Sequence, residues 1–333
     1  NARNILPNSG YNRYNFTFRD VTKFLKDKLT VDLSASYILQ DNKNMIAAGK
    51  YFNPLPALYL FPRGDDFDNV RLYQRWDESR NLYTQAWDYG SGDMSFQNPY
   101  WIMNKMINQT KKRRYMLSAN LKYDVTDWLD VTGRVKVDNA DMDITEKRYA
   151  GTDTNFAGEK GMYSIIKRND RQIYADAIAN IDLTFAGDYH LSANVGASLK
   201  DVRMDFMGWG GDLRKIPNFF SITNISTTNY KEREDGSHIQ SQSIFANVEL
   251  AWKSMLYLTV TGRNDWESAL AFSKYKSFFY PSVGLSAVVS EMVDMPEWFS
   301  FLKVRGSYSA VGSSYAAYLT KPYYDYKGQT HER

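Results

Sequence analysis

From Leu29 the chain alternates with a two-residue period. Leu29, Val31, Leu33, Ala35, Tyr37 and Leu39 are apolar, while Thr30, Asp32, Ser34, Ser36 and Gln40 between them are mostly polar. Period two puts successive side chains on opposite faces of a strand, so the pattern predicts a strand with one apolar and one polar face. It recurs at Leu117–Tyr123, Leu129–Val137, Ile173–Phe185, Tyr189–Leu199, Ile244–Trp252, Leu256–Val260, Phe279–Val289 and Leu302–Ala310. A less regular first strand surrounds Tyr14, Phe16 and Phe18. About ten strands are expected, most near the ~9–11 residues that cross a bilayer at a tilt.

Soluble sandwiches alternate too, and two further features separate the readings. In the nine regular strands the apolar rows carry no charge, whereas the opposite rows carry Asp32, Lys122, Arg134, Asp182, Lys200, Glu249, Arg263 and Lys303. A charge facing lipid at mid-depth costs about 2–4 kcal/mol, which clears such a face of charges. The connections also alternate in length. Tight ones fall at residues 24–28, 124–128, 186–188 and 253–255, with a broader one at 291–300. Between them lie long segments, 41–110, 141–170, 201–240 and 265–276. Short turns at one end and long loops at the other are the habit of outer-membrane barrels. The expected fold is therefore all-β, a segment of an antiparallel transmembrane β-barrel placed in the bacterial outer membrane against lipid.

Composition agrees without adding much. The 333 residues carry a formal charge of +3, no cysteine, and 15% aromatics including 25 Tyr and 8 Trp. The mean hydropathy is −0.52, which a barrel tolerates because only alternate strand residues meet lipid. Tyr123, Trp128, Phe185, Tyr189, Trp252, Tyr257, Trp298 and Phe299 cluster beside the short turns, as an interfacial girdle would. The balanced charge lacks the basic stripe of a nucleic-acid binder. Both Asn1 and the polar tail past Val311 are expected on the long-loop side, which points to the middle section of a larger barrel.

Several stretches resemble the SusC/RagA family of TonB-dependent outer-membrane transporters. The most specific are LYLTVTGRNDWESAL (Leu256–Leu270), SFFYPSVGLSAVVSE (Ser277–Glu291) and FSFLKVRGSYSAVG (Phe299–Gly312), in the family's order; Tyr14–Asn42 and NPYWIMNKM (Asn98–Met106) resemble it as well. The resemblance implies a 22-stranded barrel with an N-terminal plug and a TonB box. It further implies a SusD-like surface lipoprotein as lid, and an oligosaccharide or peptide substrate. Plug, TonB box and closing strand are not in this sequence, so energy coupling through TonB would belong to the missing N-terminal part. A passive pore and an adhesive or structural β-protein are the competing functions.

Candidate contact residues lie in the 41–110 segment. Trp76, Trp87, Tyr100 and Trp101 accompany Arg71, Arg75, Asp77 and Asp88. Aromatic rings stack on sugar faces while charged groups bind hydroxyls, so these residues suit a substrate; they equally suit a lid protein or internal packing. Gly64–Asn69 gathers acidic oxygens without the spacing of a calcium loop and reads as a solvated turn. Gly208–Asp212 does not lead from a strand into a helix, so it is no phosphate cradle and is expected to be a flexible external loop. His190, His238 and His331 have no ligand partner at helical spacing. Neither a metal, a cofactor nor an enzymatic activity is expected.

Overall fold

The computed structural model describes residues 5–320 apart from 46–48, 50, 90–95 and 297, with the backbone alone described at 229–233. Asn1 and His331 lie outside the described residues. Ten strands form one antiparallel sheet in chain order: β1 (Gly10–Phe24), β2 (Leu29–Lys43), β5 (Met106–Thr126), β6 (Leu129–Tyr149), β7 (Gly161–Phe185), β8 (Tyr189–Leu213), β9 (Ile225–Trp252), β10 (Leu256–Glu267), β11 (Ser277–Val288) and β12 (Lys303–Ser309). The hairpin β3 (Gln74–Asp77) and β4 (Leu82–Gln85) and the short helices α1 (Leu55–Tyr59), α2 (Asp68–Arg71) and α3 (Pro99–Lys105) belong to the β2–β5 connection. Among the described residues β1 and β12 are the two edges of an open sheet. No described helix is long and apolar enough to cross a membrane.

The tight turns are where alternation placed them. Ala186 and Gly187 join β7 to β8, and Lys253 and Ser254 join β9 to β10, each pair with positive φ. Two successive positive-φ residues match the right-handed twist of the flanking strands. Leu25, Lys26 and Asp27 do the same between β1 and β2.

Register then aligns the apolar rows. Val31 pairs with Leu121, Leu121 with Gly133, Gly133 with Ala177, Ala177 with Ala197, Ala197 with Ile244 and Ile244 with Asn264. One face of the sheet thus carries a continuous apolar belt. Leu33, Leu117, Leu121, Val135, Val195, Leu199, Ile244 and Val283 on it remain about half exposed. So wide an uncovered apolar face needs an apolar neighbour.

The strands exceed the expected length, which corrects the assignment of long external loops. Of 141–170 only 150–160 lies outside β6 and β7, and of 201–240 only 214–224 lies outside β8 and β9. Gly208–Asp212 is likewise strand rather than flexible loop, within β8. Beyond the belt the apolar row is not kept: in β8 Asp201, Arg203 and Asp205 continue the row that was apolar while Val202, Met204 and Phe206 continue the other, so the one-sided hydrophobic period is lost while the hydrogen-bonded ladder continues. Gly210 has a reason to be glycine there: a Cβ would stand 2.8 Å from the Ser164 hydroxyl on β7. The 41–110 connection does remain long, running from Asn44 to Lys105 between β2 and β5.

Candidate functional site

The polar face of the sheet is laced across strands. Arg19 on β1 grips Asp32 on β2 at 2.9 and 3.0 Å, and Asn120 on β5 reaches the same carboxylate. Lys122 lies 3.7 Å from Asp130, which also accepts from Asn180. Arg114 and Asp138 form a bidentate pair. Arg134 donates to Asp176 on β7, whose other partner is the Tyr174 hydroxyl at 2.7 Å. The Asp176 side chain is 0% exposed, so its charge is fully committed to these donors. Further round, Arg263 reaches Ser243 and Asp265. Such a surface is hydrated and charge-balanced, suited to line an aqueous passage rather than to meet lipid.

Above the belt the β2–β5 connection folds into a small packed unit. Its apolar centre is Trp101, Ile102, Met103 and Met106, with Phe52, Tyr73 and Tyr149 against it. Asn98 organises the rest. Its side chain caps α3 through the Tyr100 amide at 2.8 Å, a standard role for Asn at a helix start. Its amide nitrogen also donates to the carbonyls of Val70 and Ala86 at 2.8 and 3.1 Å, and its own backbone N–H donates to Gln85. One buried residue thereby ties α2, β4 and α3 together. Lys105, at the end of α3, stands 4.9 Å from the centre of the Tyr149 ring, and burial holds its pKa below the usual lysine value.

The four aromatic residues singled out from the sequence are not equivalent. Trp101 is 0% exposed and donates its indole N–H to Thr152 Oγ1 at 3.0 Å, so it serves packing. Trp76 is 50% exposed and packs edge-on against Tyr83 across the β3–β4 hairpin, ring centres 5.1 Å apart. Trp87 packs against Tyr89 at 5.0 Å, and its buried indole nitrogen has no hydrogen-bond partner among the described residues. Burial foremost, with Asp65 next, raises the Tyr89 pKa. Tyr100 is half-buried on α3. Trp76 and Trp87 therefore belong to the hairpin region and Tyr100 and Trp101 to α3, without forming one aromatic platform. The accompanying charges pair locally, Arg71 with Asp68 at 3.1 Å and Arg75 with Asp88 at 3.8 Å. In the acidic turn, Asp66 accepts from the Asp68 amide, a local Asx turn.

Two residues absent from the sequence candidates line clefts on the polar face. Glu146 and Arg148 lie on the polar-face row of β6, above the belt, and both line two clefts. One cleft is bounded by Phe52, Ile102 and Met103, the other by Phe156, Ser164 and Gly210. Arg148 bonds Glu146 at 3.1 Å and the Phe156 carbonyl at 2.8 Å, and lies 4.7 Å from the Phe52 ring centre. A guanidinium held over an aromatic ring beside a carboxylate offers both signs of charge and an apolar surface to a polar solute. Continuing the parity of β6 past Val137 would have put Glu146 and Arg148 on this row. The vanishing hydrophobic period removed the reason to continue it.

Comparison with known proteins agrees with this geometry. Residues 57–325 match the family described as "TonB dependent receptor-like, beta-barrel". A curated relative, TonB-dependent receptor P26 of Formosa agariphila, is 24% identical over 323 residues, which is 94% of this chain and 30% of that protein. Among solved structures, the RagAB peptide importer in its open-open state superposes with a TM-score of 0.69 at 15% identity, covering 90% of this chain and 32% of the other. A second structure, of the RagAB peptide transporter, gives 0.67 at 15% identity over 90% and 33%. At that identity the likeness is one of fold. The chain spans about a third of the length of each of these relatives.

Proposed function

This chain belongs to the TonB-dependent receptor β-barrel family of the outer membrane, and on that premise we propose that it forms wall and outer vestibule of an importer. The cargo is an oligosaccharide or peptide fragment, and the energy comes through TonB by way of a plug elsewhere in the protein. The apolar belt faces lipid and the laced face lines the passage. The observation that carries the reading is the Glu146–Arg148 pair, set between two clefts on the lumen face beside the packed α3 unit. Solute entering from outside would meet it before the charge-paired wall below. Paired charges and aromatic surface together suit fragments rich in hydroxyl, amide or terminal charges.

The exposed Trp76 and Tyr83 on the β3–β4 hairpin supply a contact surface for a SusD-like lid lipoprotein. A passive pore would need neither a lid surface nor a plug. The test uses the natural full-length protein in outer membranes, with an antibody against this segment and growth on defined oligosaccharides or peptides. A band on the order of three times this chain's 38.5 kDa, together with growth lost on deletion of the gene and weakened by Arg148→Gln, supports import. Uptake that is independent of TonB overturns it in favour of a pore.

A further inference from the structure

The exchange of rows on β8 puts Val202, Met204 and Phe206 on the lumen face above the belt, in line with Ser198 and Lys200. Neighbouring strands extend this apolar patch. Val202 is paired with Ile239 on β9, and Ile144 on β6 is paired with Ile166 on β7. Gly208 joins the two halves. It is paired with Ile166, and a Cβ on it would stand 2.9 Å from Ile166 Cγ1, so Ile166 fills the space that a side chain on β8 would take. Phe206 follows two positions below on the same face, within reach of Ile166 as a diagonal neighbour. Ile144, Ile166, Phe206, Met204, Val202 and Ile239, all half-buried, thus make one diagonal track across four strands.

Charge borders the track. Arg168 pairs with Asp170 at 2.8 Å on β7, and Arg114 on β5 with Asp138 on β6. At its upper end the track opens into a cleft of about 420 Å³, where Ile166 and Gly208 lie with Glu146 and Arg148. From Gly208 down to Val202 is six residues of strand, about 20 Å at ~3.4 Å per residue. Hydrocarbon lies on the opposite face, so lipid does not reach these side chains, and their occupant is a solute of the passage. Five of the six are aliphatic. They give hydroxyl groups no hydrogen-bond partner and a sugar ring no π face, and they gain only by taking apolar groups out of water.

We propose that this track is a specificity element of the passage, selecting cargo that carries apolar side groups along an amide backbone. The inference deepens the import reading and rests on it. An extended peptide repeats its side chains on one face every second residue, about 7 Å apart, which is the spacing of Val202, Met204 and Phe206 on their own strand. Alternate apolar residues of such a cargo lie along the track while its amides and termini meet the flanking ion pairs. A uniformly hydroxylated oligosaccharide gains nothing from it.

The test is calorimetric binding to the full-length protein in lipid nanodiscs, with three probes of equal length: the peptides Ala-Leu-Ala-Leu-Ala and Gly-Ser-Gly-Ser-Gly, and a neutral hexose pentamer. Wild type should bind the leucine peptide about tenfold more tightly than the other two, the gain from burying two leucyl side chains. Met204→Thr with Phe206→Thr, which keeps strand-forming residues but removes the apolar surface, should bring that preference to within about twofold. If this variant fails to assemble, Ile166→Thr decides, since it places one hydroxyl on the track and keeps the β-branched shape. A preference unchanged in a variant that assembles overturns the proposal. So does a wild-type protein that binds the leucine peptide no better than the glycine–serine peptide, or that binds the hexose pentamer best. Uptake independent of TonB would instead refute active import, and it leaves the binding preference where it was measured.

Discussion

The indole N–H of Trp101 donates to the hydroxyl of Thr152 at 3.0 Å, joining α3 to the turn between β6 and β7. The same turn is reached by Arg80, which donates to the Glu159 carbonyl, and by Gln97, which accepts from the Asp153 amide at 3.3 Å. The β2–β5 connection is therefore fastened onto the top of the wall. Trp101→Ala removes a fully buried indole, for which about 3–5 kcal/mol is typical. Here the loss should appear as local opening: faster protease cleavage between residues 44 and 105 in intact outer membranes, with the barrel still assembled. Thr152→Val, which removes only the hydrogen bond, should produce a milder version of the same pattern.

Gly151 has a φ of +92°, and a Cβ on it would meet the Thr84 backbone at 2.6 Å. Gly151→Ala combines an unfavourable backbone conformation with a clash against β4. The β3–β4 hairpin should detach from the β6–β7 turn, raising amide hydrogen exchange at residues 82–85 relative to wild type. Unchanged protection there would show that the hairpin is held from elsewhere.

Asp176 and Asp32 both pair with arginine on the lumen face, yet they differ in enclosure. Asp176 is wholly buried beneath Arg134 and Tyr174, whereas the Arg19 side of the Asp32 pair is open to water. Asp176→Ala leaves Arg134 and the Tyr174 hydroxyl without their acceptor and should destabilise by on the order of 2–3 kcal/mol. Asp32→Ala should change little, as exposed pairs do. Thermal melting in detergent, followed by the heat-dependent shift on a gel, ranks the two; a larger effect at Asp32 would contradict this assignment of burial.

The β3–β4 turn should respond to acid. A hydrogen bond from the Ser79 hydroxyl, at 2.6 Å, holds the Asp77 pKa below the ordinary carboxylate value, with the Arg80 amide adding to it. For a depressed carboxylate the stabilisation is present above the unfolded-state pKa, ~3.9, and disappears as pH falls through the lower folded value. Protection of the turn amides, corrected for the intrinsic pH dependence of exchange, should be steady from pH 7 to 5 and fall below about pH 4. Asp77→Asn should abolish that acid-dependent step.

Much of this protein is legible without coordinates. Alternation at Leu29–Leu39 and Tyr189–Leu199 determines which residues share a face, because side chains on a strand must point to opposite sides. Clearance of charge from one row identifies the lipid side, and the order of short turns sets a meander in which each strand pairs with its neighbours. This local signal persists only where one face meets hydrocarbon. Above Val137, Ile173 and Leu199 the row that was apolar turns charged or polar (Asp141, Arg171, Asp201), so the chain gives no continuing periodic sign that β6, β7 and β8 run on to Tyr149, back to Gly161 and on to Leu213. Burial in the β2–β5 connection was also out of reach, since Trp76 and Trp101 are the same residue type and only packing distinguishes the half-exposed ring from the enclosed one. Tertiary structure alone decided that Glu146 and Arg148 flank two clefts. The walls of those clefts come from segments far apart in sequence, and register brings them together through backbone hydrogen bonds that carry no mark of side-chain identity.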